Sequence, residues 1–287
     1  LNYQITPLPA GLYFVGVPIG TARDITLRAL DTLASADVLA AEDTRSLRKL
    51  MDIHAIPLKG RRIQSLHDHT GEGALENLLR QIAGGASVAY ASEAGMPLIA
   101  DPGFELSRKV AEAGLPQTCV PGPSAALTAL CVGGLPTDAF HFAGFLPNAA
   151  AARLSALEAL REVPGTLVFY ESPKRLGAML KDAARALGAQ RQAATCRELT
   201  KKFEEITRGT LGELTDRFSE KAPKGEIVVL VDRARSSSVS VSDLSQDLRE
   251  ALEQLSMRDA VDLVARAHQL PRRKVYQQAL ALTKDAD

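Results

Sequence analysis

Three turns rich in glycine and proline are the places where this chain can bring its backbone against a small ligand. They are Gly16-Val17-Pro18-Ile19-Gly20, then Ser92-Glu93-Ala94-Gly95-Met96-Pro97 running on to Ala100-Asp101-Pro102-Gly103, and Pro121-Gly122-Pro123-Ser124. Glycine permits close backbone approach. The third turn leads into a helix whose free N–H groups can meet a carboxylate or a hydroxyl, although plain helix capping is the simpler reading of Ser124. The first turn lacks the Gly-x-Gly-x-x-Gly spacing of a dinucleotide site. Two polar clusters add chemistry. Glu42-Asp43-Thr44-Arg45 offers a carboxylate that can take a proton from a hydroxyl and a guanidinium that can hold a phosphate; a salt bridge with a helix cap is the alternative. His67-Asp68-His69 can place two imidazoles on one strand face. No third ligand follows at a metal-binding spacing, so proton transfer or substrate contact is preferred and no metal is expected. The chain has no Gly-x-Ser-x-Gly, Walker loop or His-Glu-x-x-His, which removes the common hydrolase, nucleotide-triphosphatase and zinc-protease readings.

Strands must carry these turns. Strand-like runs at 11–17, 38–41, 87–91 and 117–120 end on turns of this kind, and helical spacing fills the gaps: Leu27, Leu30 and Leu33 behind a cap at Asp24, Leu75 to Ile82, and 106–113. Strand alternating with helix predicts an α/β domain with a mainly parallel sheet over 11–121, after a leader at 1–10. The same rhythm repeats over 122–233, with strands at 141–145, 166–171, 193–199 and 226–232. A serine-rich linker at 234–241 leads to a strandless helical tail at 242–287, whose break near His268 suggests a helix–turn–helix. In an open α/β sheet, ligands sit beyond the carboxyl ends of strands, which is where the three turns lie.

The 287 residues carry 34 Lys+Arg and 34 Asp+Glu, so a uniformly basic nucleic-acid binder is excluded. Position tells more than the sum. Residues 45–62 hold Arg45, Arg48, Lys49, Lys59, Arg61 and Arg62 against Asp52 alone, and 263–276 hold Arg266, Arg272, Arg273 and Lys274 with no acid. Two local basic patches suit a phosphate-rich partner, and a solvated helix face is the plainer alternative for each. Three scattered cysteines without a Cys-x-x-Cys read as reduced thiols of a cytoplasmic protein. No apolar run reaches membrane-span length and no signal peptide is evident, so no membrane association is expected.

The ordered set of motifs resembles the tetrapyrrole methylase superfamily and, within it, the small-subunit ribosomal RNA methyltransferase I branch. The resemblance runs through Gly11 to Gly20, Asp24 to Leu30, Ala41 to Arg45, Leu66 to His69, Pro97 to Gly103, Pro121-Gly122-Pro123, Gly144 to Pro147, Phe169 to Ser172, Arg197 to Lys201 and Gly225-Glu226. It implies a two-domain class III methyltransferase fold, a bound S-adenosylmethionine and a homodimer. The implied reaction is methylation of a ribose 2′-hydroxyl, on a cytidine of the decoding region (cytidine 1402) in small-subunit ribosomal RNA or the assembled subunit. By matching motifs, the cofactor would meet Pro18, Ile19, Ala94, Gly95, Met96, Ile99, Ser124, Ala125, Tyr170, Glu171, Leu199 and Gly225. Asp43 would be the first choice of proton acceptor, ahead of Glu42, His67 and His69. Arg45, Arg48, Lys49, Arg61, Arg62, Arg272, Arg273 and Lys274 would grip RNA.

The chain departs from the pattern in three places. Glu93 and Met96 stand where the family usually has Asp and Thr, and the segment after Pro147, usually basic, is Asn148 and four alanines before Arg153. Met96 removes a hydroxyl from the cofactor turn, and the alanines remove charge from an RNA-facing loop. Two alternatives follow: a tetrapyrrole methyltransferase, or an RNA-binding assembly protein without catalysis.

Overall fold

A computed structural model describes residues 2–67, 71–101, 103–219, 222–234, 241–267 and 270–284. Two compact units result, Leu1–Arg233 and Ala234–Asp287. The first unit contains two five-stranded sheets. The first sheet is built from β1 (Gly11–Val15), β2 (Val38–Ala41), β3 (Ile63–Ser65), β4 (Ser87–Ala91) and β5 (Gln117–Val120). Its order is β3-β2-β4-β1-β5 and every pair is parallel. A sheet of this kind needs crossovers, which cover both faces and make its central strands apolar throughout. β4 is buried at all five positions. The crossovers are α1 (Leu27–Ser35), α2 (Thr44–Ile53), α3 (Glu72–Ala83) and α4 (Phe104–Glu112).

Local chemistry sets the helix starts. Thr26, not Asp24, caps α1: its side chain accepts from the Ala29 N–H at 3.1 Å, while Asp24 closes a short 3₁₀ turn. The frame shifts by two residues, and Leu27 is left 66% exposed while Ala29, Leu30 and Leu33 go inside. Asp43 caps α2 by accepting from the Arg45 and Ser46 N–H groups at 2.8 and 3.3 Å.

The second sheet contains β6 (Phe140–Phe145), β7 (Thr166–Glu171), β8 (Gln192–Arg197), β9 (Glu205–Thr210) and β10 (Ile227–Val231), in the order β6-β7-β10-β8-β9. Here the repeated rhythm does not give a parallel sheet. Only β6 and β7 run parallel; β10 is antiparallel to both its neighbours, and β8 and β9 form an antiparallel pair. A short turn joins β8 to β9, too short for a parallel crossover. The outer face packs on α6 (Ala150–Ala159), α7 (Leu176–Leu187) and α8 (Leu211–Arg217), and the inner face on α5 (Ala125–Gly133). Thr210 and Glu213 form a reciprocal capping box at the start of α8.

The second unit holds α9 (Val241–Gln254), α10 (Met257–Ala267) and α11 (Arg272–Lys284) around a core of Leu244, Leu248, Val261, Val264, Val275 and Ala279. Ser256 accepts from the Asp259 N–H at 3.3 Å and opens α10. No described helix is long and apolar enough to cross a membrane.

At the carboxyl ends of β1, β4 and β5 the three turns touch. Val17 and Gly95 exchange two backbone hydrogen bonds, at 2.9 and 3.1 Å. A Cβ on Gly16 would lie 2.8 Å from the Gly122 Cα and 2.7 Å from the Met96 Sδ. Overpacking of this kind costs about 1–3 kcal/mol. Gly16→Ala is expected to lower the midpoint of denaturant unfolding accordingly and to weaken cofactor binding, read by titration calorimetry. An unchanged midpoint would mean that the turns can part without cost.

Candidate active site

The three turns open onto a cavity of about 340 Å³. The first sheet contributes Ile19 after β1, Ala94 to Met96 and Ile99 to Asp101 after β4, and Ser124 and Ala125 at the start of α5. The second sheet contributes Phe145 from β6, Tyr170 to Pro173 at the end of β7, Cys196 and Leu199 around the end of β8, and Gly225 to Val228 leading into β10. Of the twelve residues expected at a cofactor, every one except Pro18 lines this cavity; Pro18 sits half-buried beside it in sequence and leaves the contact to Ile19.

Burial shapes the chemistry of the wall. Tyr170 has its phenol pushed up by burial, against a smaller opposing effect of hydrogen bonding from the Ala126 backbone and the Ser124 side chain. Ser124 therefore does more than its position as first residue of a helix suggested: its hydroxyl makes no capping bond to α5. The Cys196 thiol, buried on the wall, is pushed up to about 11 by desolvation. Glu171 is the buried carboxylate. Its Oε1 accepts from the Ser172 N–H at 2.7 Å and lies 3.3 Å from the Arg175 Nε, while its Oε2 has no hydrogen-bond partner. Such an atom is costly unless a ligand satisfies it.

The turn after β8 closes the opposite side. Glu198 and Thr200 both adopt positive φ, at 51° and 63°. Lys201 Nζ donates to Glu198 Oε1 at 3.0 Å and to Glu226 Oε2 at 2.7 Å, and the Glu226 N–H donates to Glu198 Oε1 at 3.0 Å. Gly225 lies under this cluster with φ 93°, and a Cβ there would come within 2.5 Å of the Glu198 side chain. The same turn reaches back to the first sheet, since the Thr21 N–H donates to Thr200 Oγ1 at 3.2 Å and the Thr21 hydroxyl to the Thr200 carbonyl.

The residues expected to move a proton are placed differently. Glu42, Asp43 and His67 are not part of the cavity wall, and His69 lies outside the described residues. Asp43 is committed to α2: besides its two cap bonds it accepts from the Arg45 guanidinium at 3.2 and 3.4 Å, and these bonds hold its carboxyl below the usual range. Glu42 instead braces a cavity turn, accepting from the Glu93 N–H at 3.1 Å. Asp101, in the Pro97–Gly103 segment, is a partly exposed carboxylate on the wall, a placement that its motif does not reveal and the fold does.

The basic residues also divide. Arg61 is corrected: its guanidinium donates to the carbonyls of Leu33, Ala36, Pro57 and Leu58 at 2.7–3.1 Å, which spends it on closing α1 and the following loop. Arg45, Arg48 and Lys49 stand exposed along α2, where they line a shallow groove with Asp52 and Ile53. Arg62 is exposed as well. On the helical unit, Arg273 is exposed and Arg272 pairs with Asp262, while the Lys274 side chain lies outside the described residues.

The model of the tetrapyrrole (corrin/porphyrin) methylases matches residues 11–215. The chain belongs to the tetrapyrrole methylase family. A second model, the RsmI C-terminal HTH domain, matches residues 239–283. Among its relatives, the ribosomal RNA small subunit methyltransferase I of Mesorhizobium japonicum is 44% identical over 277 residues, which are 96% of this chain and 93% of that protein. The protein of the same name from Escherichia coli O157:H7 is 39% identical over 94% of both chains. In fold, the chain is similar to the uroporphyrin-III C-methyltransferase of Thermus thermophilus solved with S-adenosyl homocysteine, with a TM-score of 0.53, 21% identity and coverage of 77% of this chain and 96% of that one. As a tetrapyrrole methylase the chain is a methyltransferase that uses S-adenosylmethionine.

The cavity suits that cofactor. Its volume falls in the range of small-molecule sites, roughly 300–1,000 Å³. Ile19, Met96, Ala125 and Val228 give apolar walls for a flat base, and Glu171 supplies an acceptor for a charged or hydroxyl donor.

The Glu198 carboxyl is held below its ordinary value, first by the Glu226 N–H and then by Lys201 against the opposing effect of burial. Its stabilising contribution is present above the unfolded-state value, about 4.3, and disappears as pH falls through the lower folded value. Glu198→Gln is expected to be less stable than the parent at neutral pH and to lose less melting temperature between about pH 5 and pH 3. Parallel curves for the two proteins would remove this turn from the acid response.

Proposed function

We propose that this methyltransferase modifies the ribose 2′-oxygen of a cytidine, cytidine 1402, in the decoding region of small-subunit ribosomal RNA, acting as a cytoplasmic homodimer on RNA or on the assembled subunit. The observation that carries the reading is similarity along nearly the whole chain, helical unit included, to proteins named ribosomal RNA small subunit methyltransferase I. The surface supports it. The exposed cations of α2 begin two residues past the acid pair that follows β2, and Glu42 of that pair bonds the backbone of the cavity turn. Phosphates held by Arg45, Arg48, Lys49 and Arg62 would thus be registered to the cavity, since backbone contacts position a nucleic acid without reading its bases.

When bound, S-adenosylmethionine would supply a sulfonium methyl group open to in-line attack by an oxygen, with the thioether sulfur as leaving group. The chain must align the 2′-oxygen, exclude water and ease removal of its proton. Apolar groups from both sheets exclude water. Of the three carboxylates on the wall, Glu171 is buried and paired with Arg175, and Glu226 is held by Lys201. Asp101, partly exposed on the wall, is our choice of proton acceptor ahead of Asp43, which is not on the wall and is committed to the cap of α2.

A ribose-methylation map of small-subunit RNA, with and without the protein, is expected to show one cytidine gained; a map without change would overturn the reading. Asp101→Asn is expected to lower kcat by about 100-fold or more, with cofactor affinity kept within a few-fold. Asp43→Asn should keep kcat within a few-fold, because asparagine caps a helix as well as aspartate does. The reverse pattern would return the role to Asp43. Joint reversal of Arg48 and Lys49 to Glu should weaken RNA binding at least about tenfold and reduce the slope of log affinity against log salt by about 2; an unchanged slope would take α2 out of the RNA contact.

A further inference from the structure

Phe145 is a large apolar side chain that stands 56% exposed and lines the methyl-transfer cavity. Its direction has a traceable cause. β6 pairs with β7 in register from Phe140↔Thr166 to Phe142↔Val168, skips Ala143, and resumes at Gly144↔Phe169 and Phe145↔Tyr170. Strand side chains alternate between faces, so one extra residue reverses every side chain after it. Without the bulge, Phe145 would share a face with Ala143, which packs toward the outer core. With it, Phe145 stands on the Tyr170 face and Leu146 goes into the outer core at 5% exposure. Gly144 makes the bulge with φ 63°, a conformation that glycine adopts without strain.

The ring is then held in place. It meets Tyr170 edge-on at 5.7 Å between centroids, and Tyr170 is itself edge-on to Phe142 at 5.0 Å. The following loop is fastened by Arg175, whose guanidinium donates to the carbonyls of Leu146 and Pro147 at 2.6 and 3.2 Å and to the Asn148 side chain at 2.5 Å. Arg175 also pairs with the cavity carboxylate Glu171. A bulge, a glycine and a multiply bonded arginine thus keep one phenyl face in solvent at the cavity, where burial would have been the cheaper arrangement.

We propose that Phe145 is the stacking platform for the base of the nucleotide being methylated. The inference rests on the RNA reading above. A ribose whose 2′-oxygen enters the cavity carries its base no more than a few ångströms away, outside the duplex stack. Enzymes that act on a nucleotide drawn out of the stack commonly receive its base on an aromatic face. Phe145 offers a π-face without a hydrogen-bonding group, so it holds the base without reading its identity. It also stands at the start of the segment whose basic residues are here replaced by Asn148 and four alanines, so stacking takes the place of phosphate contacts at this loop.

The test compares Phe145→Ala, Phe145→Leu and Phe145→Tyr with the parent, reading kcat/KM on small-subunit RNA and S-adenosylmethionine affinity by calorimetry. Loss of one base stack is expected to lower kcat/KM about 5- to 100-fold in the Ala and Leu variants. The Tyr variant should stay within about threefold, and cofactor affinity within about threefold in all. RNA with an abasic ribose at the target keeps the reacting hydroxyl; it should cost the parent the same factor and Phe145→Ala nothing more. A Leu variant equal to the parent, or a matching loss of cofactor affinity, would overturn the platform, the latter by making Phe145 part of the cofactor seat. If the parent methylates no RNA, the RNA reading falls and the platform with it. If the parent methylates RNA and Phe145→Ala does so equally well, the platform alone falls.

Discussion

The active site depends on a backbone contact that no side chain could make. Gly16 and Gly122 meet at the carboxyl ends of neighbouring strands β1 and β5, and the bridge between Val17 and Gly95 ties in the turn after β4. Parallel strands place these ends on one edge of the sheet, but ordinary side chains would hold the turns apart. With hydrogen in place of Cβ at two positions the three turns close into a single rim. That rim sets the depth of the cavity and the position of Ile19, the Ala94–Met96 backbone and Ser124. The second sheet is held to the same rim through Gly20 and Thr21, which lie against Thr200 in the turn after β8.

From that rim outward, the arginines and carboxylates take roles that residue type does not reveal. Arg61 and Arg45 lie in the same basic stretch. One is spent on four carbonyls and the other is 91% exposed at its side chain. An arginine offers five donors in a fixed fork, so it can serve as internal scaffold or as external phosphate clamp. Net charge makes no distinction between these uses. Within 45–62 the cations that stand exposed at the surface are therefore fewer than the count implied, since Arg61 is spent on the interior while Arg45, Arg48, Lys49 and Arg62 are exposed.

The strands that ended on chemistry were the legible ones. β2, β4 and β7 coincide with largely apolar runs bounded by turn residues, β5 was marked by the turn that ends it, and the three turns were visible because glycine and proline punctuate them. β3 and β9 escaped because they are short or polar edge strands, Ile63–Ser65 and Glu205–Thr210, held by one neighbour each. The antiparallel second sheet escaped because strand order is not encoded in local periodicity. The second-sheet residues of the cavity wall, Tyr170, Glu171, Leu199 and Gly225, were expected only through motif resemblance, and placement on the wall could not be read for any single acid. Asp43 and Asp101 both follow strands in acid-bearing turns, and what separates them is that one faces a helix N-terminus and the other a cavity.

The departure at Met96 bears on whether such a site remains competent. Loss of the threonine hydroxyl removes one possible hydrogen bond, but Met96 is not a hole in the wall. Its sulfur occupies the space that a Cβ on Gly16 would need, at 2.7 Å. The flexible thioether therefore fills the floor between the first and second turns, as methionine does in irregular gaps. Ala94, Gly95 and the buried Glu171 also line the cavity, and the polar groups they present there do not depend on the side chain at 96. Glu93 points the same way: its backbone N–H donates to Glu42, a bond that does not depend on the side chain, and the longer acid keeps the charge of the aspartate it replaces. A chain that had lost its cofactor would have no selective use for a glycine joint, an unsatisfied buried carboxylate and an aromatic ring held out toward solvent in one place. All three lie around the same cavity, and this favours a working methyltransferase over a binding protein with the same fold.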